Sequence, residues 1–282
     1  MTFGSFILIA LKAKMSKDSL KKGLQVNKGE FAFPKEFKPS EFVKKVILFT
    51  LIVESTGALF LSYIFIQSGE NMPIWSAIFH SVSAFCTAGF SLMTNSFQYY
   101  RGDLAVNAII STLSLLGAIG FIVMVDVWNV VKSPKRSPQF STTIILKVTI
   151  VLLMLGTIFI ALTDPTLNNL SWSERWMTAF FQTMTASTTV GFNTYNVAEL
   201  NIASVFLLYF LMLFGASPSG TGGGLKSTTL AALFAIVRST LKRREWISFD
   251  GKKLPIDKLQ VAASSFIFAT GILFIAILIL LV

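Results

Sequence analysis

The amino-acid sequence predicts an all-α membrane protein built from tandem parallel helix–pore-loop–helix repeats, with one inner helix broken by a glycine-rich loop. The first observation is composition: the mean hydropathy is +0.68 and only 13% of the residues are charged, against about 25% in soluble domains. The second is a set of apolar stretches close to the length that crosses a bilayer. The third is an internal repeat, which decides how those stretches are arranged.

The first two segments of the chain are not predicted to cross the bilayer. Residues 1–11 are apolar but too short for a span, and they are typical of the end of a preceding inner helix. Residues 12–42 form a loop that is rich in lysine. We expect the beginning of the inner helix to lie outside this sequence.

Further along the chain, apolar stretches of two lengths alternate. Full spans need about 20 apolar residues, and the predicted spans are Val43 to Ile66, Leu104 to Val131, Thr142 to Leu162 and Leu259 to Val282. Two shorter stretches, Ile74 to Phe85 and Trp176 to Ser187, have the length of re-entrant helices. The stretch from Ile202 to Val237 is apolar but is interrupted by glycines, so we predict a broken helix there.

The two short stretches are related to each other in sequence. AIFHSVSAFCTAGF begins at Ala77 and AFFQTMTASTTVGF begins at Ala179, and identical residues recur at an offset of 102. We therefore predict one repeat over residues 43–131 and a second over residues 142–237. Residues 132–141 and 238–258 are basic loops, and residues 259–282 form the outer helix of an incomplete repeat.

Each repeat contains a candidate ion filter directly after its short helix. Backbone carbonyls can bind a dehydrated cation without a fixed charge, glycine permits the unusual backbone angles that such a run needs, and a short helix directs its negative end at the cavity. TVGF in the second repeat also matches part of the potassium-channel sequence TVGYG. Either motif alone also fits an ordinary loop glycine, but two in register favour a filter. The first filter segment is Cys86, Thr87, Ala88, Gly89 and Phe90, and the second filter segment is Thr188, Thr189, Val190, Gly191 and Phe192.

The glycine-rich interruption is the candidate gate. Pro218 removes a backbone donor, and five glycines make the break flexible. The matching stretch Leu104 to Val131 has only Gly117 and Gly120, so we expect it to stay helical and the break to be particular to one repeat. A helix kink without a gating role is the alternative. We define the gate loop as Gly215, Ala216, Ser217, Pro218, Ser219, Gly220, Thr221, Gly222, Gly223 and Gly224, together with Lys226.

The gate loop also resembles a nucleotide-binding phosphate loop, which has the pattern GxxxxGK[ST]. Leu225 separates Gly224 from Lys226, so the spacing fails. The preceding segment is too long and too apolar for the buried strand that such a loop follows. Nucleotide binding at this loop is therefore excluded.

The net charge of +10 is concentrated in three loops, at residues 12–45, 132–147 and 238–258. The positive-inside rule places all three in the cytoplasm. This distribution predicts a multi-pass protein of the cell membrane whose partner is the lipid bilayer, and it argues against nucleic acid. Binding of anionic lipid or of a cytosolic protein partner is an alternative use of the charge.

Few other residues carry candidate chemistry. Glu54 lies in the middle of a predicted span, and an intramembrane carboxylate is a functional candidate by default. It either receives N–H groups of the pore helix or loop, or influences the cation path, or is a satisfied structural carboxylate. His80, the only histidine, is expected to be a packing residue that makes hydrogen bonds. One His and one Cys form no catalytic constellation and no metal site, so the chain is not predicted to be an enzyme.

These motifs resemble the Trk/Ktr/HKT superfamily of potassium-translocating membrane subunits. FHSVSAFCTAGFSL (Phe79 to Leu92) is similar to the second of the four fused repeats of that family. TTVGFNT (Thr188 to Thr194) and GASPSGTGGGLKSTT (Gly215 to Thr229) are similar to the third, whose inner helix is broken by a glycine-rich loop. The resemblance covers nearly the whole chain, and we expect the chain to be a fragment with repeats two and three and parts of one and four.

The resemblance implies potassium as the transported ion, with sodium as an alternative or coupled ion and no covalent cofactor. It implies a homodimer of full-length subunits, a cytosolic nucleotide-binding regulatory subunit of the Ktr type, and a role for Lys226 at the gate. Two alternatives remain open. One is a secondary transporter of a small solute, which also uses broken helices, although the parallel repeats favour a pore. The other is a non-conducting fragment.

Overall fold

The computed structural model describes residues 39–133 and 137–281. The predicted end of an inner helix at residues 1–11, and the basic loop as far as residue 38, lie outside the described residues. The remaining predicted segments can be compared with the structure element by element.

The described chain is a succession of helices in two similar sets. The first set comprises α1 (Pro39–Gln67), α2 (Pro73–Phe85), α3 (Leu104–Ile119) and α4 (Phe121–Lys132). The second set comprises α5 (Phe140–Thr163), α6 (Trp172–Thr188), α7 (Ile202–Leu213) and α8 (Ser227–Leu241). An antiparallel hairpin of β1 (Ser248–Phe249) and β2 (Lys252–Lys253) then leads to α9 (Ile256–Leu281). Short 3-10 turns occur at Gln98–Tyr100, Pro165–Asn169 and Val197–Glu199.

Helix length separates the spans from the re-entrant elements. Within the described residues, three helices are long and apolar enough to cross a membrane, and the α3–α4 pair makes a fourth if the two count as one bent span. The pore helices α2 and α6 have 13 and 17 residues, which is too short to cross. The predicted membrane protein with outer, re-entrant and inner helices is therefore confirmed.

Local sequence explains where several helices begin. The Asp103 carboxylate accepts hydrogen bonds from the amides of Ala105 and Val106, at 2.8 and 3.0 Å, and so caps α3. Ser171 and Glu174 form a capping box at the start of α6, which is why this pore helix begins one turn earlier than its apolar stretch.

Each outer helix packs on its pore helix through a glycine. A Cβ added at Gly57 of α1 would lie 2.7 Å from Ser81 Oγ, and one added at Gly156 of α5 would lie 2.5 Å from Thr183 Cγ2. Ser81 and Thr183 are matching positions of the sequence repeat. Because neither distance leaves room for a methyl group, the repeated sequence produces the same packing twice.

The two repeats share one hydrophobic core. It joins Phe65 of α1 and Ile110 of α3 to Phe181 and Met184 of α6, and it includes Phe192 of the second filter segment. The filter segments therefore sit on a core to which both repeats contribute.

One expectation about the first inner helix is wrong. The predicted continuous helix from Leu104 to Val131 is divided into α3 and α4, which are bent by 101° relative to each other. The bend occurs at Gly120, whose φ is +85°. A Cβ at Gly120 would lie 2.3 Å from the carbonyl carbon of Ser219, so the gate loop occupies the space that a straight helix would need. Both inner helices are thus interrupted.

Candidate ion filter and gate loop

The two filter segments have the same backbone conformation. Thr87 and Gly89 have φ values of +50° and +70°, and Thr189 and Gly191 have values of +56° and +92°, whereas the residue between each pair is not left-handed. Left-handed angles at two positions of each segment are the kind of unusual backbone conformation that a run of carbonyls facing one way requires. A left-handed β-branched residue is an outlier. Sequence reasoning identified the glycines, but it did not indicate that the threonines share their conformation.

The central carbonyl oxygens of the two filter segments are left without hydrogen-bond donors in the described structure. Amides bond back to the pore helices: Ala88 N donates to Ser83 O at 2.8 Å and Val190 N to Thr185 O at 3.1 Å. The described residues donate no hydrogen bond to six carbonyl oxygens, those of Thr87, Ala88, Gly89, Thr189, Val190 and Gly191. Such oxygens are suitable ligands for a dehydrated cation.

The two filter segments lie side by side. A Cβ added at Gly89 would lie 1.8 Å from Val190 O, so the two backbones touch at this point and no side chain fits between them. The pore helices α2 and α6 end at Phe85 and Thr188, where the segments begin. Their negative ends therefore face the candidate cation path.

The aromatic residues that end the two segments have different surroundings. Phe192 is fully buried, with its ring 4.9 Å from that of Phe97 and 6.2 Å from that of His80. Its counterpart Phe90 is 71% exposed. His80 is itself buried, with Nδ1 2.7 Å from Ser76 O and Nε2 3.0 Å from Ser91 Oγ. The prediction that His80 packs and makes hydrogen bonds is confirmed.

The gate loop returns from α7 to the ends of the pore helices before α8 begins. A Cβ at Gly215 would lie 1.8 Å from Ser187 O, and one at Gly222 would lie 2.6 Å from Thr188 O. The same approach occurs in the first repeat, where a Cβ at Gly117 would lie 1.9 Å from Phe85 O. Glycine is therefore required by close backbone contact in addition to flexibility.

The loop also closes the broken end of α3. Ser217 N donates to Ala118 O at 3.1 Å and Thr221 N donates to Gly117 O at 3.0 Å. These carbonyls belong to the last turn of α3, where intrahelical donors run out. The gate loop thus supplies hydrogen-bond donors to the carbonyls that the bend at Gly120 leaves without intrahelical donors.

Hydrogen bonds connect the gate loop with both filter segments. The Thr221 hydroxyl lies 3.2 Å from Phe85 O and 3.1 Å from Thr87 Oγ1. Gly223 N donates to Thr189 Oγ1 at 2.7 Å. Lys226 directs its Nζ to Gly222 O at 3.1 Å, which places its charge against the loop backbone.

Glu54 is located beside the first filter segment, and the contact of its carboxylate there is with the Cys86 thiol. The Cys86 thiol lies 3.9 Å from Glu54 Oε1, and the Ser81 hydroxyl donates to the Glu54 backbone oxygen at 2.7 Å. Among the described residues, no backbone N–H donates to this carboxylate. The nearby amides of Cys86, Thr87 and Ala88 already bond to α2 carbonyls.

The gate loop borders a cavity of about 440 Å³ between α5, α8 and α9. Lys226 and Lys258 line it, together with mostly apolar side chains. Nearby, Lys147 of α5 forms an ion pair with Asp250 of the β hairpin. In the described residues, no cluster of three or more His, Cys, Asp and Glu side chains is suited to hold a metal ion.

Comparison with known proteins identifies the family. The TrkH family model, described as a cation transport protein, matches residues 35–282. The chain is 33% identical over 210 residues to Ktr system potassium uptake protein B of Vibrio alginolyticus, covering 73% of this chain and 46% of that protein. It is 30% identical over 239 residues to potassium/sodium uptake protein NtpJ of Enterococcus hirae, covering 83% and 52%. The chain thus spans about half the length of these relatives.

A solved structure has the same fold. The crystal structure of the potassium transporter TrkH from Vibrio parahaemolyticus superposes with a TM-score of 0.66 at 20% identity, over 87% of this chain and 51% of that one. The matching family is one of transporters rather than enzymes. With the family model matching most of its length, the chain belongs to the TrkH family of cation transport proteins.

Proposed function

We propose that this chain forms half of a potassium-selective uptake pore in the cell membrane, as part of the translocating subunit of a Trk/Ktr-type system. The observation that carries the proposal is the pair of adjacent left-handed segments with six carbonyl oxygens free of donors. Neutral oxygens of this kind replace the hydration shell of an ion that then leaves again.

The surroundings of the filter segments favour a monovalent cation. Two pore helices end there, and each contributes about half a negative charge. No carboxylate belongs to either segment, so a divalent ion would lack the charged ligands it prefers. Relatives are named for uptake of potassium or of potassium and sodium. We propose potassium as the main ion and sodium as a competing or coupled one.

Two filter segments enclose only part of an ion's surroundings. We propose that the full-length subunit supplies two further segments, since the chain spans about half the length of its relatives. We further propose that the gate loop closes the pore below the filter, because its backbone lies against the end of α6 and its Thr221 hydroxyl bonds to the end of α2.

The charged loops suggest the orientation and the partners. We propose that residues 12–45, 132–147 and 238–258 face the cytoplasm. The Lys147–Asp250 ion pair joins two of these loops, which supports their lying on one side. The same face is our candidate docking surface for a cytosolic nucleotide-binding regulatory subunit, and we propose that full-length subunits form homodimers.

Rubidium uptake in cells that lack their own potassium uptake systems tests the function. We expect the full-length product of the gene to restore uptake, and Gly191→Asp to abolish it at normal membrane abundance. Gly69→Asp is the matched control, because Gly69 is also left-handed, with φ +73°, and has open space around it, while aspartate tolerates this conformation. Uptake that is indifferent to Gly191 would contradict the pore and favour a solute site at the broken helix.

A further inference from the structure

We propose that Thr221 of the gate loop positions the first filter segment, so that the loop that closes the pore also maintains its ion selectivity. This inference rests on the proposed function. It adds a specificity-determining residue that lies outside both filter segments.

The Thr221 hydroxyl links two atoms of the first repeat. It donates its single proton to Phe85 O at 3.2 Å, the last carbonyl of the pore helix α2. It accepts from Thr87 Oγ1 at 3.1 Å, and the Thr87 proton is shared with Cys86 O at 2.8 Å. One hydroxyl of the loop therefore binds the chain on both sides of Cys86, where the first filter segment begins.

The second filter segment is bound to the loop at the matching position. Thr189 is the repeat counterpart of Thr87, and its hydroxyl oxygen accepts from Gly223 N at 2.7 Å. Residues two positions apart in the loop thus contact equivalent threonines. We name this set, Thr87, Thr189, Thr221 and Gly223, the loop bridge.

The main chain fixes the position of Thr221. Its amide donates to Gly117 O at 3.0 Å on the broken end of α3. A Cβ added at Gly117 would lie 1.9 Å from Phe85 O and 3.0 Å from Thr221 Oγ1. Because no side chain intervenes, α3, α2 and the loop meet directly at this hydroxyl.

The loop bridge acts on residues that hold a strained conformation. Thr87 and Thr189 are left-handed, and a β-branched residue keeps such angles only where its surroundings over-determine them. The neighbouring carbonyls are the candidate ion ligands. Removing the bridge releases the threonines toward ordinary angles and turns these carbonyls, so discrimination between potassium and sodium falls.

The test compares transport rate with ion preference in the full-length protein. Thr221→Val keeps the shape of the side chain and removes the hydroxyl, Thr221→Ser keeps the hydroxyl, and Thr228→Val is the matched control. Thr228 lies in the first turn of α8, and its hydroxyl makes no hydrogen bond to the filter segments in the described structure. Uptake of rubidium and of sodium is measured for each variant in proteoliposomes.

We expect Thr221→Val to transport both ions with a potassium-over-sodium preference about tenfold lower, as for the loss of a buried hydrogen bond. Thr221→Ser restores most of the preference and Thr228→Val retains it fully. A changed rate with an unchanged preference in Thr221→Val would make Thr221 a gate or packing residue and overturn the inference.

If Thr221→Val does not reach the membrane, a second variant provides the test. Thr189→Val removes the acceptor of Gly223 N and is expected to lower the preference in the same direction; an unchanged preference there would also overturn the inference. If the wild type shows no uptake, or if uptake is unchanged in Gly191→Asp, the proposed function itself is contradicted. If the wild type takes up rubidium and Gly191→Asp does not, but the ion preference is unchanged in Thr221→Val and Thr189→Val, only the role of the loop bridge is contradicted.

Discussion

The two repeats reach the same backbone from related sequences, but they place it in different surroundings. Left-handed φ values occur at Thr87 and Gly89 and again at Thr189 and Gly191. The phenylalanine that follows, however, is fully buried in the second repeat and 71% exposed in the first. The short motif therefore determines the local conformation, and the neighbouring repeat determines what covers the side chains.

The inner helices differ in the same way. The first is bent at one residue, Gly120, whereas the second is interrupted from residue 214 to residue 226. The short break leaves carbonyls that the long break satisfies through Ser217 N and Thr221 N. The two inner helices are thus interrupted to different lengths, and the two breaks are joined by these hydrogen bonds.

The largest effect is expected at the point where the filter segments touch. In Gly89→Ala the new Cβ would lie 1.8 Å from Val190 O, so we expect a loss of at least about 4 kcal/mol in stability and no uptake. In Gly191→Ala the nearest new contact is 3.9 Å away, and only the left-handed conformation opposes the methyl group, at about 1–2 kcal/mol. Thermal unfolding in detergent compares them, and equal losses would contradict the close contact.

The buried and exposed phenylalanines provide the next comparison. Phe192→Ala leaves a cavity beside Phe97 and His80 and is expected to cost about 3–5 kcal/mol. Phe90→Ala in the same chain is expected to cost less than about 1 kcal/mol, because Phe90 has little packing in the described structure. Denaturation of both variants of this chain measures the difference, and similar costs would mean that Phe90 is also covered.

The bend in the first inner helix is expected to have a smaller effect on stability and a clear effect on transport. Gly120→Ala opposes a φ of +85° and places a Cβ 2.3 Å from the backbone of Ser219. We expect a loss of about 2–3 kcal/mol and faster rubidium uptake, because the gate loop loses its position. The control is Gly271→Ala, where the structure has nothing within 4 Å of the new Cβ. Unchanged uptake in Gly120→Ala would mean that the bend at Gly120 does not control the position of the gate loop.

The smallest effect concerns two carboxylates, each of which joins the loop after an outer helix to the loop before the inner helix of the same repeat. Buried Asp164 accepts hydrogen bonds from Thr166 and from Asn201 N, at 3.0 and 3.1 Å, whereas half-buried Glu70 accepts one from Tyr100 at 3.1 Å. Burial alone would raise the pKa of Asp164, but the hydrogen bonds outweigh it and lower the pKa below its ordinary value of 3.8. We expect Asp164→Asn to cost about 1–2 kcal/mol at pH 7, and Glu70→Gln to cost less.

The pH dependence of Asp164 follows from the lowered pKa. Its contribution is complete above the ordinary pKa of 3.8 and is lost as the pH falls through the lower folded-state value. The stability difference between wild type and Asp164→Asn should therefore be constant from pH 7 to about pH 5 and shrink below the ordinary pKa. A difference that grows on acidification would contradict the sign of the shift.

Sequence alone predicted the features that depend on local composition. The lengths of the apolar stretches separated α1 and α5 from the pore helices, and the repeat located Gly89 and Gly191. Prediction from sequence failed where residues far away in the chain determine the local structure. Nothing near Gly120 indicates that a loop a hundred residues later occupies the space beside it. A propensity argument would also have opposed left-handed threonines at 87 and 189, which are stabilised by the loop and the pore helices.

The gate loop makes most of its contacts with main-chain atoms, and this has a consequence for its tolerance of mutation. Its amides bind Gly117 O and Ala118 O, and its glycines approach Ser187 O and Thr188 O too closely for any side chain. A library of random substitutions over residues 215–224 should therefore give two classes of position. Gly215, Gly220, Gly222 and Gly224, where an added Cβ would lie 2.6 Å or less from a backbone oxygen, would reject nearly every replacement. Gly223, where the nearest atom would be 3.5 Å away, and Ser219 would accept many, so the loop can change its surface chemistry without losing its backbone contacts.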